Sequence, residues 1–324
     1  MQHVRAVCLV SCLVCAGRAF GQEGEAFESR ARAAWERGQV AEALTAFHKA
    51  VASRNPDDIT LPDLLDEVAE VECRAGNFSE AERSAARALT IRRRMLGPEH
   101  PSVATSMNNL GEVLFAEGEY KEAEQYYRHA VELVKHQAAP DAERQAKFLG
   151  NLGKALTARH SYREAGQVLG RALEQWTKSG NLFEQAVTLG NLALLAGQCG
   201  QYAEAEQMYR RALERLDAKH PNAIAARSNL ADVLRIRKRY EESEREFNQA
   251  LPLLEETLGP EHPDRAAALT LYANLLRDTH RTGEANRLSA EAKRIRELHA
   301  RTDGGAWVVD ARVHPPVART RPIR

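Results

Sequence analysis

The chain has 324 residues, and its 45 Lys and Arg offset its 45 Asp and Glu to a formal net charge of zero. Such a balance supplies no global field that would draw the protein to nucleic acid or to an anionic membrane surface. Helix formers such as Ala, Leu, Glu, Arg and Gln dominate the composition, which favours an all-α chain over one built on strands.

Residues 1–21 are expected to stand apart from the fold. Met1 to Arg5 is short and basic, Ala6 to Gly17 is apolar, and Ala19 and Gly21 sit three places and one place before a cleavage point at Gln22. This is the layout of a secretory signal peptide and predicts export, to a periplasmic or secreted location. The alternatives are lipid anchoring at Cys12, where Leu9-Val10-Ser11-Cys12 has the form of a lipobox, and an uncleaved anchor. The apolar run is short against the roughly 20 residues that a spanning helix needs, and no later stretch is long enough to cross a bilayer. Of the five cysteines, Cys73 and Cys199 lie beyond this segment, three repeats apart, and are expected to be buried thiols without a mutual disulfide.

From residue 22 to residue 299 the chain repeats itself. Ala43, Ala81, Ala123, Ala165, Ala205, Ser243 and Ala285 occupy one slot, at successive spacings of 38, 42, 42, 40, 38 and 42 residues. A second alanine follows each by seven residues: Ala50, Ala88, Ala130, Ala172, Ala212, Ala250 and Ala292. Twelve residues before the slot stand Gly111, Gly153, Ala193, Ala231 and Ala273, and three before it stand Phe78, Tyr120, Tyr162, Tyr202 and Tyr240. In the clearest copy, 104–117 reads as a helix with Leu110, Val113 and Leu114 on one face, and Gly118 ends it. Residues 120–135 read as a second helix with Tyr120, Ala123, Tyr127 and Ala130 at helical spacing. The pair makes a helical hairpin that cannot bury its apolar face alone, so hairpins must stack. Small residues then mark the places where helix axes cross closely.

Small at −12, large at −3, small at the slot and alanine at +7 resembles the tetratricopeptide repeat (TPR). The resemblance implies a TPR α-solenoid, a right-handed superhelix of about seven hairpins, with units at 24–57, 62–95, 104–137, 146–179, 186–219, 224–257 and 266–299. The connector Leu96-Gly97-Pro98-Glu99-His100-Pro101, repeated at Leu258-Gly259-Pro260-Glu261-His262-Pro263 and shortened at Lys219-His220-Pro221, is similar to the 42-residue repeat of kinesin light chains and related bacterial proteins. The seventh copy carries Thr282, Ser289 and Lys293 at positions that are large or apolar elsewhere, the polar exterior expected of a terminal cap. Residues 300–324, with paired glycines, prolines and five arginines against two aspartates, read as a disordered basic tail.

The sequence holds no catalytic constellation: no His-Glu-x-x-His, no Cys-x-x-Cys past the leader, no phosphate-cradling glycine loop and no Gly-x-Ser-x-Gly elbow. It therefore predicts a non-enzyme without cofactor or metal. His100, His220 and His262 recur in the connectors, too far apart to share an ion, and are expected to brace the turns. One constellation points to binding. Asn109, Asn151, Asn191 and Asn229 share the slot at −14, on the first helix of each unit, which in the family resembled lines a concave groove. Asparagine both donates and accepts, so such a row can clamp the backbone of an extended peptide, or tie each helix to its neighbour. The same face carries Glu112, Lys147, Lys154, Asp232 and Arg235, giving a groove of mixed charge, basic near Lys147 and Lys154 and acidic or paired near Asp232. The expected function is a non-catalytic scaffold for a protein or peptide partner, with no nucleic acid. The alternative is a self-associating component of an envelope assembly.

Overall fold

The computed structural model describes residues 23–135 and 141–303. The leader expected at 1–21, the lipobox cysteine and Trp307 to Val309 of the basic tail lie outside the described residues. Every regular element among the described residues is an α-helix: α1 (23–36), α2 (Val40–Ser53), α3 (Leu61–Arg74), α4 (Phe78–Leu96), α5 (Pro101–Glu117), α6 (Tyr120–Lys135), α7 (Ala142–Ala158), α8 (Tyr162–Ser179), α9 (Leu182–Gln198), α10 (Tyr202–Leu213), α11 (Pro221–Ile236), α12 (Tyr240–Leu258), α13 (Pro263–Asp278) and α14 (Thr282–Asp303). They alternate as first and second helices of hairpins, as the repeat spacing predicts. The chain divides into two compact units, one up to Leu133 and one from Val134. None of these helices is long and apolar enough to cross a membrane.

The helix starts follow from local chemistry. His100, His220 and His262 occupy the N-cap of α5, α11 and α13 in extended backbone, each followed by a proline at the first helical position. In each, the ring Nδ1 accepts the backbone N–H two residues on, at 3.2, 3.1 and 3.2 Å. The ring nitrogen does what an Asp or Asn oxygen does at other helix starts, and Asp141 and Asn181 do so at α7 and α9. The recurring histidines are thus turn braces, and no group of three or more metal-ligating side chains occurs among the described residues.

The slot residues are the seams of both units. All seven side chains of the central slot and all seven alanines that follow are fully buried. At −12, Gly111 and Gly153 lie directly under the +4 side chain of the facing helix, where the other copies hold alanine. A Cβ on Gly111 would come within 2.7 Å of the Tyr127 ring, and one on Gly153 would overlap Leu169. In the first unit Phe47 fills the same place over α1, and in the second Tyr209 and Phe247 do so over α9 and α11; these are among the largest fully buried side chains.

Within each unit, neighbouring first helices touch: α3 with α5 in the first, and α7 with α9, α9 with α11 and α11 with α13 in the second. The backbones of neighbouring second helices, such as α8 and α10 or α10 and α12, do not come as close, and α10 meets α12 through long side chains, Arg210 Nη2 reaching Glu242 Oε2 at 3.5 Å. The first helices therefore lie on the more crowded side. At the end of the second unit, α14 buries Ala285, Ala292 and Ile295 against α13 and turns Thr282, Arg287 and Lys293 to solvent.

One expectation about the cysteines is corrected. Cys73 is half-buried near the end of α3, but Cys199 is exposed, because it lies one residue past α9 as its C-cap instead of inside the helix.

Candidate functional site

The asparagine row sits on the crowded side, one residue on each of α5, α7, α9 and α11, yet its members differ in surroundings. Asn109, in the first unit, is half-buried and lies beside the Asp66 carboxylate of α3. That carboxyl is pushed above its usual range by burial, against the opposing pull of Arg92 and Asn109. Arg92 is itself buried and gathers Asp63, Asp66 and Ser106 around one guanidinium, so this corner joins α3, α4 and α5. Glu112, one turn beyond Asn109, accepts a hydrogen bond of 3.2 Å from Asn108 Nδ2. In the first unit the row therefore lies next to a structural polar network.

In the second unit Asn151 is buried in α7, whereas Asn191 and Asn229 are half-buried and line one pocket of about 110 Å³. Ala186, Val187, Gly190 and Asn191 of α9 form one wall, Ala225 and Asn229 of α11 the other, and Tyr209 of α10 also lines it. A Cβ at Gly190 would meet nothing within 4 Å, so the glycine leaves the entrance open. Phe183, exposed one turn before Val187, meets the His220 ring edge-on, with centroids 5.0 Å apart. The rim thus continues as an apolar strip toward the start of α9, where Leu182 is exposed as well.

The charges on this face are more balanced than the sequence implies. Lys147 is exposed and Lys154 half-buried on α7, and Glu184 of α9 faces them. Burial raises the Glu184 pKa, the neighbouring Glu143 adds to it, and Lys147 and Lys154 oppose it. Asp232 is only 1% exposed, and Arg235 Nε donates to its Oδ1 at 2.7 Å. Arg235 Nη1 donates to Asp278 Oδ2 of α13, also at 2.7 Å. Burial disfavours the Arg235 charge, but the two carboxylates outweigh it and the pKa rises. Asp232 and Arg235 therefore brace α11 against α13.

Sequence reasoning did not single out Tyr209, Glu184 or Gly190. Tyr209 carried a signal, since the +4 slot holds Phe47, Tyr127, Leu169, Tyr209 and Phe247 in five copies. Glu184 carried none, because its position opposite two lysines depends on how neighbouring hairpins pack.

The tetratricopeptide repeat family model matches residues 61–136, 144–218 and 222–297. No curated protein sequence matches this chain. Among solved structures, it is similar to aspartyl phosphate phosphatase F from Bacillus subtilis, 12% identical with a TM-score of 0.70, over 90% of this chain and 74% of that one. It is also similar to a Rap protein complexed with competence and sporulation factor, 17% identical with a TM-score of 0.66, over 86% of this chain and 76% of that one. BtubC (BKLC) from P. vanneervenii is 18% identical with a TM-score of 0.52, over 79% of this chain and 97% of that one. At these identities the likeness is one of fold. With three family matches that together span most of the residues, and buried small slots in every hairpin, this chain belongs to the tetratricopeptide repeat family.

Proposed function

We propose that this protein is a non-catalytic scaffold that binds an extended peptide, or an extended segment of a protein, across the first helices of its second unit. Tetratricopeptide repeat proteins bind proteins or peptides. The observation that carries the reading is the placement of Asn191 and Asn229 on one pocket, on the side where first helices crowd together. Each amide can donate to a peptide carbonyl and accept from a peptide N–H, which grips a backbone whatever its sequence. Glu184 and Glu143 close to Lys147 and Lys154 leave the neighbouring surface without a dominant sign, so it gives no strong preference for acidic or basic guests.

The expected leader makes the binding compartment exported, with Gln22 as the first residue. Cell fractionation with N-terminal sequencing tests this part, and a cytoplasmic protein that retains Met1 overturns it.

Binding is tested by selecting phage-displayed random dodecapeptides on the purified chain, then measuring the selected peptides against Asn191→Ala/Asn229→Ala. The double variant is expected to weaken binding about tenfold or more while keeping its helical signal. Unchanged affinity overturns the groove reading. If the chain selects no peptide and light scattering finds a concentration-dependent oligomer, the self-associating alternative replaces it.

A further inference from the structure

The slot fifteen residues before the central one holds Glu28, Asp66, Asn108, Ser228 and Thr270 in five copies, and glycine in the other two, at Gly150 and Gly190. In three copies its side chain accepts a hydrogen bond from an arginine eleven residues after the central slot. Arg54 Nε donates to Glu28 Oε1 at 3.0 Å, Arg92 Nη1 donates to Asp66, and Arg296 Nη1 donates to Thr270 Oγ1 at 3.0 Å. The α7 copy instead sets Gly150 with the bulky Trp176, and the α9 copy sets Gly190 with Leu216. The α9 copy thus lacks both the side chain and the arginine. Glycine inside a helix is less stable than alanine, and no neighbour calls for it here, since a Cβ on Gly190 would meet nothing within 4 Å. Asp66 lies beside Asn109 in the first unit, whereas Gly190 and Asn229, at the equivalent positions, line the open pocket of about 110 Å³.

We propose that this vacancy is a subsite for one aliphatic side chain, Leu, Ile or Val, of the bound peptide, so that the guest fills what other repeats fill for themselves. The proposal rests on the groove reading above. Val187, Leu194, Leu216 and Ala225 give the lining its apolar character, and no charged side chain lines it. These surfaces are within reach of a guest: Val187, Gly190, Leu194 and Leu216 are half-buried and Ala225 is exposed. A guest carboxylate would lose its hydration and meet no arginine, because Leu216 stands where Arg92 meets Asp66. A guest ammonium would find no carboxylate in the lining either. An aliphatic side chain needs no polar partner and gains by leaving water. Asn191, Asn222 and Asn229 of the same lining remain for the guest backbone, so grip and side-chain choice fall to different residues.

The test uses the full chain and three fluorescein-labelled nonapeptide libraries, randomised except for a central Leu, Ala or Glu, with binding read by anisotropy. The wild type is expected to prefer central Leu to central Ala and Glu by about tenfold. Gly190→Val fills the vacancy from within, and Thr270 shows that the slot seats a branched side chain, so the variant should keep its circular dichroism spectrum. Its preference for Leu over Ala is expected to vanish. Gly190→Ala, measured alongside, intrudes by one methyl group and is expected to reduce the preference by less. Central Ala or Glu binding the wild type as well as Leu, or a Leu preference undiminished in both variants, overturns the subsite and leaves the groove standing. Failure of all three libraries to bind overturns both.

Discussion

The Ser243 hydroxyl donates a hydrogen bond of 2.6 Å to the carbonyl oxygen of Ala231, twelve residues earlier on the facing helix. Both residues are fully buried, and Ser243 is the single member of its slot that is not alanine. The added oxygen is thus satisfied by the helix that the slot brings close. Ser243→Ala is expected to change stability by about 1 kcal/mol or less, since one neutral hydrogen bond is lost and an alanine of the right size remains. Ser243→Val adds bulk at a close crossing and is expected to cost roughly 1–3 kcal/mol. Urea unfolding of both variants checks the order; equal losses would mean that the hydroxyl, not the size, governs this seam.

Gly153 and Gly150 sit three residues apart on α7 and predict opposite signs. A Cβ on Gly153 would collide with Leu169, whereas one on Gly150 would meet nothing within 4 Å. Gly153→Ala is expected to destabilise by roughly 1–3 kcal/mol through overpacking. Gly150→Ala is expected to stabilise by about 0.5–1 kcal/mol, because glycine inside a helix loses more backbone entropy than alanine. Thermal melts of the two variants should move in opposite directions, and a shared direction would refute this account of the α7–α8 seam.

Three hairpin turns carry a side chain in left-handed backbone. His160, Lys238 and His280 have φ of 60°, 62° and 63° where the equivalent turns place Gly38, Gly118 and Gly200. Their Cβ atoms crowd the following carbonyl at a cost of roughly 1–2 kcal/mol. Lys238→Gly and His280→Gly are expected to raise stability by several tenths to about 1 kcal/mol after the entropy loss of glycine. His160→Gly should gain least, because His160 Nδ1 also bonds the Tyr162 hydroxyl at 2.7 Å. Unfolding midpoints that fall in all three variants would contradict the argument.

The two cysteines outside the leader should label at very different rates. Burial pushes the Cys73 thiol up to about 11, with nearby Glu112 adding to the effect. Only the thiolate attacks maleimide, so Cys73 is largely silent at pH 8 in the folded state. Cys199 is exposed at the end of α9 and should react first. Peptide mapping after a short maleimide pulse checks this, and equal modification of both sites would count against the packing around α3.

The parts of the fold legible in the sequence are those where geometry admits few residue types. Ala123 or Ala165 cannot become larger without separating two helices, so the slot survives every copy and announces the hairpin. His100, His220 and His262 were legible as turn braces because each precedes a proline that opens a helix. The candidate site was less legible. Asn191 and Asn229 share a slot with Asn109 and Asn151, yet the first pair lines a pocket, while Asn109 lies beside Asp66 and Asn151 is buried. What separates them is the neighbouring helix: an acidic side chain at Asp66, or open space at Gly190. Tyr209 was hidden for a related reason. Its slot accepts Phe, Tyr and Leu alike for packing, so the sequence gives no sign that this copy borders a pocket.

The final helix has a consequence of its own. On its inner side α14 covers Leu269, Ala273 and Leu276, and on its outer side it offers charge and hydroxyl. A protease that clipped the chain near Arg281 would not unravel the remaining hairpins, since each is held by the ones next to it. It would instead lay bare the greasy facet of Leu269, Ala273 and Leu276, and the damaged molecules would adhere to one another through it.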